Sequence, residues 1–258
     1  MSTLRIARLG IISALQEEQA GLVEAMEGAA THFAGGRDYT TGTLWGQDAV
    51  CVLSRIGKVA AAITATLLVE KFGVTHILFT GVAGAGGSDV RVGDIIVAET
   101  LVQHDMDASP LFPPYVVPLT GISHFAADQA MTAQLSAAAA AFLACDLATA
   151  VQERDKTGFG LHKVRLHGGL VASGDQFIHS QARIAGLIAA HPGLLAVEME
   201  GAAVAQVCAE LGVPCAVLRT ISDNANEKAA TDFLHFVQAV AAPYAYGIVK
   251  RFCRQIAD

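Results

Sequence analysis

The sequence predicts a three-layer α/β/α fold around a central mixed sheet, on three observations. Short apolar runs typical of buried strands alternate along the chain with longer segments that carry helix signals. Apolar residues make up 53% of the 258 residues and charged residues 16%, so the chain can bury a large core. No internal repeat or long linker divides it. We therefore expect residues 1–258 to form one domain with a mainly parallel sheet.

The first half of the chain is predicted to alternate between buried strands and helices. Glu17 and Glu18 fall in the first turn of one helix, where the helix dipole favours acids. Gly73 ends the next helix in the C′ position, and residues 46–48 form a turn between paired strands. The predicted elements are a strand at 9–13, a helix at 16–26, strands at 39–45 and 49–55, a helix at 58–72 and a strand at 76–80 that runs into a glycine-rich loop at 81–87.

The second half repeats this alternation around a proline-rich loop. Three prolines keep the loop at 103–115 from being helical. Gly212 ends one helix, and Pro243 is expected to kink the last one. The predicted elements are strands at 94–98, 166–172, 195–199 and 214–221, and helices at 131–147, 181–190, 201–211 and 231–251.

Charge and composition exclude several classes of function. The formal net charge of −7 gives no basic footprint for nucleic acid, which favours a small-molecule ligand. The longest apolar runs are about half as long as the stretch of ~20 residues that spans a bilayer. We read the N-terminus as a first strand, because it has no long apolar region of a signal peptide. The five cysteines are scattered without a CxxC pair, which favours free thiols in a reducing cytoplasm over disulfides or zinc.

Several motifs lie where a predicted strand ends, and ligands of open α/β sheets bind beyond the carboxyl ends of the strands. In SALQEE, Glu18 could hold and deprotonate a water, or it could simply cap a helix. The glycine-rich segment at 81–87 could bring backbone amides close to a ligand, or form a tight turn. Its spacing matches neither a Walker A loop nor a dinucleotide-binding fingerprint. In SGDQFI, Phe177 could stack on a flat base or belong to the core.

The remaining acidic motifs carry carboxylates in apolar surroundings. Glu198 and Glu200 of VEMEGAA would be costly to bury unless they bind something. One of them could hydrogen-bond a pair of sugar hydroxyls, or form a salt bridge with Arg219. Asp223 of LRTISDNAN ends an apolar strand, where desolvation would raise its pKa and let it donate a proton, although a capping role is the alternative.

A metal site is not expected. His104, Asp105 and Asp107 lie close together in the HDMD segment, but no second histidine occurs at ligand spacing. A network of hydrogen bonds within the loop is the favoured interpretation. The sequence therefore predicts neither a metal nor a cofactor.

The order of these motifs resembles the nucleoside phosphorylase superfamily, and within it the 5′-methylthioadenosine/S-adenosylhomocysteine nucleosidases. ALQEE, RIGKVAAAITATLL, TGVAGAGG, VGDIIVAE, HDMD, SGDQFI, VEMEGAA and RTISDNA follow one another over nearly the whole chain. The resemblance implies a nucleoside phosphorylase-like fold. It also implies hydrolysis of the N-glycosidic bond of a purine nucleoside without a cofactor.

The resemblance implies a role for each matched residue. Glu18 would position and activate the attacking water, and Asp223 would protonate the purine N7 with the help of Ser222. Glu200 would bind the ribose 2′ and 3′ hydroxyls. The other substrate-binding residues implied are Met199 beneath the sugar, Phe177 and Ile178 at the base, Ile56 and Phe233 at the 5′ side, and Glu198 and Val82. Leu111 or Phe112 of a neighbouring subunit would close the 5′ pocket, which implies a homodimer.

Three alternatives remain open at the level of sequence. A phosphorylase of the same fold is disfavoured because Phe79 and Val82 stand where phosphorylases place phosphate-binding residues, although Arg55 and Lys58 could bind phosphate. A hydrolase of another nucleoside, such as a futalosine-like compound, is the second, because the segments at 103–125 and 147–162 do not match the family well. A non-catalytic nucleoside-binding protein is the third, and the presence of both catalytic acids disfavours it.

Overall fold

A ten-stranded mixed sheet forms the centre of the protein, in a computed structural model that describes residues 4–223 and 233–257. The strands are β1 Leu9–Ser13, β2 Glu27–Ala34, β3 Arg37–Leu44, β4 Gln47–Leu53, β5 His76–Ala85, β6 Ile95–Gln103, β7 His124–Ala126, β8 Leu166–Ser173, β9 Leu194–Glu198 and β10 Cys215–Asp223. The helices are α1 Lys58–Glu70, α2 Gln129–Cys145, α3 Leu147–Ala150, α4 Glu153–Gly158, α5 Gln181–Ala190, α6 Gly201–Leu211, α7 Phe233–Phe236 and α8 Ala242–Ala257.

The strand order is β10-β6-β8-β9-β5-β1-β4-β3-β2, with β7 beside β6. Since β10 also pairs with β5, the strands β5, β10, β6, β8 and β9 close into a ring. The predicted mixed sheet is confirmed, but the expected excess of parallel pairings is wrong. Among the described strands, five pairings are parallel and five antiparallel. Four of the five antiparallel pairings come from the hairpins β2–β3 and β3–β4 and from the pairings of β6 with β7 and β10.

Two apolar cores, one on each face of the sheet, make the three layers. One core contains buried side chains of α2 and α8, including Leu135, Phe142 and Ile248. The other contains buried side chains of α1 and α6, including Ala65 and Val204. Buried alanines, whose side chains are small, let these helices pack closely on the sheet. No helix in the described part of the chain is both long and apolar enough to cross a membrane.

The helix predicted at 16–26 is wrong: only a single 3-10 turn forms, at Glu17–Gln19. Gly21 ends it, because its φ of +82° is incompatible with a right-handed helix. The glycine-rich segment also differs from the prediction, since β5 runs through it to Ala85 and pairs with β10 along its length. Short β7 and edge strand β2 were not predicted. Seven of the eight residues of β2 are exposed, so it lacks the alternation that reveals a half-buried strand.

The C-terminal helix is interrupted near Pro243, as expected. A π-helical turn at Val237–Ala241 separates α7 from α8, and proline cannot donate the backbone hydrogen bond that a regular helix would need there. The predicted start at residues 231 and 232 lies outside the described residues. The interruption lets Phe233 point at the carboxyl end of the sheet while α8 packs on the core.

Candidate active site

A cavity of about 280 Å³ lies beyond the carboxyl ends of β1, β5, β8, β9 and β10. Every site residue that the sequence assigned to this chain's own pocket lines it. These residues are Glu18, Ile56, Val82, Phe177, Ile178, Glu198, Met199, Glu200, Ser222, Asp223 and Phe233. Leu111 and Phe112 do not line it, and their expected contact with a neighbouring subunit stays a prediction; Leu111 is 83% exposed.

The sequence reasoning missed several lining residues. They are Ala14, Leu15, Ala83, Gly84, Gln176, Val197 and Leu234. Most have small or apolar side chains, which carry no chemical signal in a sequence. Gln176 is the exception, since it adjoins Phe177 in a motif already identified.

Glu18 is held in the cavity wall by three backbone amides. The N–H groups of Ala14 and Leu15 each donate to Oε2 at 2.9 Å, and Val82 N–H donates to Oε1 at 3.0 Å. Burial, partly offset by the Leu15 N–H and the Arg219 charge, raises the pKa of Glu18 above its ordinary value. A raised pKa makes the carboxylate a stronger base, which suits the activation of a water.

Glu200 faces the cavity from the end of β9. Its Oε1 accepts a hydrogen bond of 2.7 Å from the backbone N–H of Gly57. Burial and the neighbouring Glu198 raise the pKa of Glu200 to about 8. A carboxyl group that exchanges its proton near neutrality can both donate to and accept from a pair of hydroxyls.

Glu198 has a different environment, although it also lines the cavity. Its carboxylate accepts from Arg219 Nη2 at 2.6 Å, from Gly201 N–H at 2.8 and 3.0 Å, and from the Ser173 hydroxyl. The structural alternative, a salt bridge to Arg219, is therefore present. We expect Glu198 to act on a substrate through the position of Glu200, since the N–H of Glu200 also donates to it at 3.2 Å.

Asp223 ends β10 beside Gly84 of β5, its partner in the strand ladder. It is 8% exposed, and Ser222 Oγ donates to its Oδ2 at 2.7 Å. The pairing of Ser222 with Asp223 agrees with the assisting role that the resemblance implies. The raised pKa expected for Asp223 stays a prediction.

The loop after β8 supplies the aromatic surface of the site. Phe177 is 49% exposed at the cavity, whereas the next residue, Ile178, is buried. An aromatic side chain half in solvent is not a core residue, so the alternative of an ordinary core phenylalanine does not hold. A flat base can stack on such a ring.

The two cations that could bind phosphate do not line the cavity and have protein partners. Lys58 Nζ donates to Asp105 at 2.6 Å and to Gln103 at 3.0 Å. Arg55 Nη2 donates to the Gly36 carbonyl at 2.5 Å. Within residues 4–223 and 233–257, the cavity lining contains three glutamates and one aspartate but no lysine or arginine.

The HDMD segment forms a network with neighbouring loops. Asp105 accepts from Lys58 and from the N–H of Asp175, and Asp107 accepts from the N–H of Ser109. The network favoured from the sequence is thus present. The described residues contain no group of three or more histidine, cysteine or acidic side chains that could hold a metal.

A sequence model of the phosphorylase superfamily matches residues 8–254. The chain belongs to this superfamily. A 5′-methylthioadenosine/S-adenosylhomocysteine nucleosidase of Shewanella putrefaciens is 36% identical over 230 residues, which are 89% of this chain and 91% of that relative. The predicted resemblance is confirmed.

Solved structures of the superfamily share the fold. The 5′-methylthioadenosine/S-adenosylhomocysteine nucleosidase of Streptococcus pneumoniae, bound to the transition-state inhibitor MT-ImmA, superposes with a TM-score of 0.82 at 31% identity, over 96% of this chain and 99% of that one. The native futalosine hydrolase of Helicobacter pylori gives 0.80 at 34% identity, over 95% and 96%. The predicted nucleoside phosphorylase-like fold is confirmed.

Proposed function

We propose that the protein hydrolyses the N-glycosidic bond of a purine nucleoside, with 5′-methylthioadenosine, S-adenosylhomocysteine or both as substrates. The observation that carries the proposal is that Glu18, Glu200 and Asp223, which come from three separate strand ends, line one cavity beside Phe177. The similarity to nucleosidases over most of the chain supports the same reaction.

Asp223 is the general acid in this mechanism. As the C1′–N9 bond breaks, its electron pair passes to the purine, and a proton from Asp223 reaches N7 and neutralises the leaving base. The Ser222 hydroxyl donates to Oδ2 and orients the carboxyl group. General-acid assistance of this kind contributes roughly 10²–10⁴-fold to the rate.

Glu18 and Glu200 act on the sugar. Water attacks C1′ and gives its proton to Glu18, whose carboxylate is already oriented by three amides. Positive charge develops on the ribose as the base departs, and Glu200 stabilises it while holding the 2′ and 3′ hydroxyls. An acid at the base and a carboxylate that activates water at the sugar follow the logic of inverting glycosidases.

Water is a better nucleophile here than phosphate. The described cavity lining offers a phosphate no lysine or arginine, and the nearby cations Lys58 and Arg55 have protein partners. Hydrolysis of a futalosine-like nucleoside is the second candidate, favoured by the similarity to the Helicobacter pylori futalosine hydrolase.

Product analysis tests the proposal. Methylthioadenosine, S-adenosylhomocysteine, adenosine, inosine and futalosine are incubated with the protein, with and without phosphate, and the products are separated by liquid chromatography. We expect free adenine and a free sugar without phosphate. A sugar 1-phosphate would overturn hydrolysis, and turnover of futalosine alone would select the second candidate.

We further propose that residues 1–258 form one domain that works as a homodimer in the cytoplasm. A single sheet with shared cores joins the described parts. Exposed apolar side chains near the cavity mouth, among them Ile56 (57% exposed) and Val59 (71%), suit contact with a second copy. All five cysteines are free, which suits a reducing compartment.

A further inference from the structure

Three residues outside the cavity lining form a closed cycle of hydrogen bonds. Lys58 Nζ donates to Asp105 Oδ1 at 2.6 Å, Asp175 N–H donates to Asp105 Oδ2 at 2.8 Å, and Lys58 N–H donates to Asp175 Oδ1 at 2.7 Å. We call Lys58, Asp105 and Asp175 the positioning triad. It joins the first turn of α1, the loop after β6 and the loop after β8.

Two corners of the triad, Lys58 and Asp175, adjoin groups of the candidate site. Lys58 follows Gly57, whose N–H holds Glu200 at 2.7 Å. Asp175 lies two residues before Phe177. Gly57 itself has a φ of +99°, and a Cβ there would come within 3.1 Å of Asp175 Oδ1. The triad therefore connects Glu200, proposed to bind the sugar, with Phe177, proposed to stack on the base.

Two members of the triad, Lys58 and Asp105, form an ion pair that is largely shielded from solvent. The side chains of Lys58 and Asp105 are only 15% and 17% exposed. Although burial raises the pKa of Asp105, hydrogen bonds from Lys58 and from Asp175 N–H prevail and hold this pKa below its ordinary value. The preceding residue, His104, is buried, and its ring packs against Gly174. This contact also joins the loop after β6 to the loop after β8.

We propose that Lys58, Asp105 and Asp175 are positioning residues, which set the spacing between the ribose-binding Glu200 and the base-stacking Phe177. This inference rests on the proposed function for its effect on turnover. A displacement of about 1 Å in such a site can cost about 10²-fold in rate. We therefore expect Asp105→Ala to lower kcat/KM for the nucleoside by about 10–100-fold, to raise KM, and to weaken competition by free adenine.

Matched variants separate positioning from general stability. Asp107→Ala removes an acid from the same loop, but among the described residues Asp107 accepts hydrogen bonds only from Ser109, so kinetics should be unchanged. Lys58→Met should resemble Asp105→Ala, and Lys58→Arg should restore part of the loss. Lys58 and Asp105 belong to one cycle of hydrogen bonds. The double variant Lys58→Met/Asp105→Ala should therefore lose much less transition-state stabilisation than the sum of the losses in the two single variants. Additive losses, or an unchanged KM in Asp105→Ala, would overturn the proposal.

Hydrogen–deuterium exchange gives a readout that does not depend on turnover. The amides of Lys58 and Asp175 are donors within the triad, so Asp105→Ala should speed exchange at 57–58 and 174–177, while Asp107→Ala should not. Equal exchange in the two variants would refute the triad. If the wild-type protein releases no base from any nucleoside, the proposed function fails, and the exchange measurement still decides the triad.

Discussion

The burial of three of the four carboxyl groups that line the cavity opposes folding. Glu18, Glu200 and Asp223 are 4%, 6% and 8% exposed. Burying a carboxylate costs free energy unless hydrogen bonds or opposite charges compensate. Backbone amides and the Ser222 hydroxyl supply part of this compensation. At the scale of the residue, these buried groups oppose folding and are explained by the catalytic roles proposed for them. Single substitutions should therefore change activity without an equal loss of stability.

Asp223→Asn should reduce kcat by about 10²–10⁴-fold, because the amide cannot deliver a proton to N7. The amide oxygen can still accept from Ser222, so the melting temperature should stay close to that of the wild type. Adenine release measured by chromatography, beside a thermal melt, checks both. Retained turnover would remove Asp223 from the mechanism.

Glu200→Gln should lose activity and gain stability, and the gain should depend on pH. The pKa of Glu200 is raised in the folded state from 4.5 to about 8, so folding favours the protonated form. Wild-type stability is then lost as pH rises from about 4.5 to about 8, and glutamine avoids that loss. We expect a gain on the order of 1–3 kcal/mol at pH 8.5 and little at pH 4.5. Urea unfolding at both values measures it, and an equal gain at both would contradict the assignment.

At the scale of the element, β5 contacts both acids of the proposed mechanism, Glu18 and Asp223. Val82 N–H holds Glu18, and Gly84 lies opposite Asp223 in the ladder with β10. Just before Val82, the strand has no room for a side chain, because a Cβ at Gly81 would lie 2.8 Å from Glu18 Oε1. The glycine-rich segment thus serves the site as an extended strand, with Gly81 making room for the carboxylate.

Gly81→Ala should displace Glu18 and lower kcat by about 10–100-fold. The control is Gly186→Ala in α5, where an added Cβ meets no atom within 4 Å and helix propensity should add up to ~1 kcal/mol of stability. Steady-state kinetics with chemical unfolding distinguish the two variants. Full kcat in Gly81→Ala would show that activity does not depend on the close packing of β5 against Glu18.

Predictability also differs between elements. β1, α5 and α6 form at the predicted residues, because each is bounded by clear local signals. β5 and β6 run longer than predicted, since pairing with β10 and β8 extends them through residues of weak strand propensity. The exposed edge strand β2 depends on its hairpin with β3, and nothing in its own residues reveals that partner.

At the scale of the whole molecule, the loop after β6 places an exposed leucine, Leu111, away from the chain's own cavity. The same loop contains Asp105, a corner of the positioning triad. A second subunit bound to this loop would thus contact a segment connected to Phe177 and Glu200.

Leu111→Asp should weaken the proposed homodimer and lower activity more strongly at low protein concentration. The control Leu211→Asp changes a leucine at the end of α6 that is 39% exposed. Sedimentation velocity and activity over a dilution series provide the measurement. A dimer that survives in Leu111→Asp with full activity would exclude this loop from the interface.

The sequence by itself determined the class of fold and the family, and it singled out acids that line the cavity, because these are carried by local apolar patterns and by short motifs in a fixed order. Only the tertiary structure decided that Glu198 pairs with Arg219 while Glu200 faces the cavity, and that Lys58 joins a triad rather than a phosphate site. Those outcomes depend on contacts between distant positions, such as the bond between Gly57 and Glu200 across 143 residues. Local pattern does not encode such contacts, since the closed sheet creates them by bringing separate strand ends together.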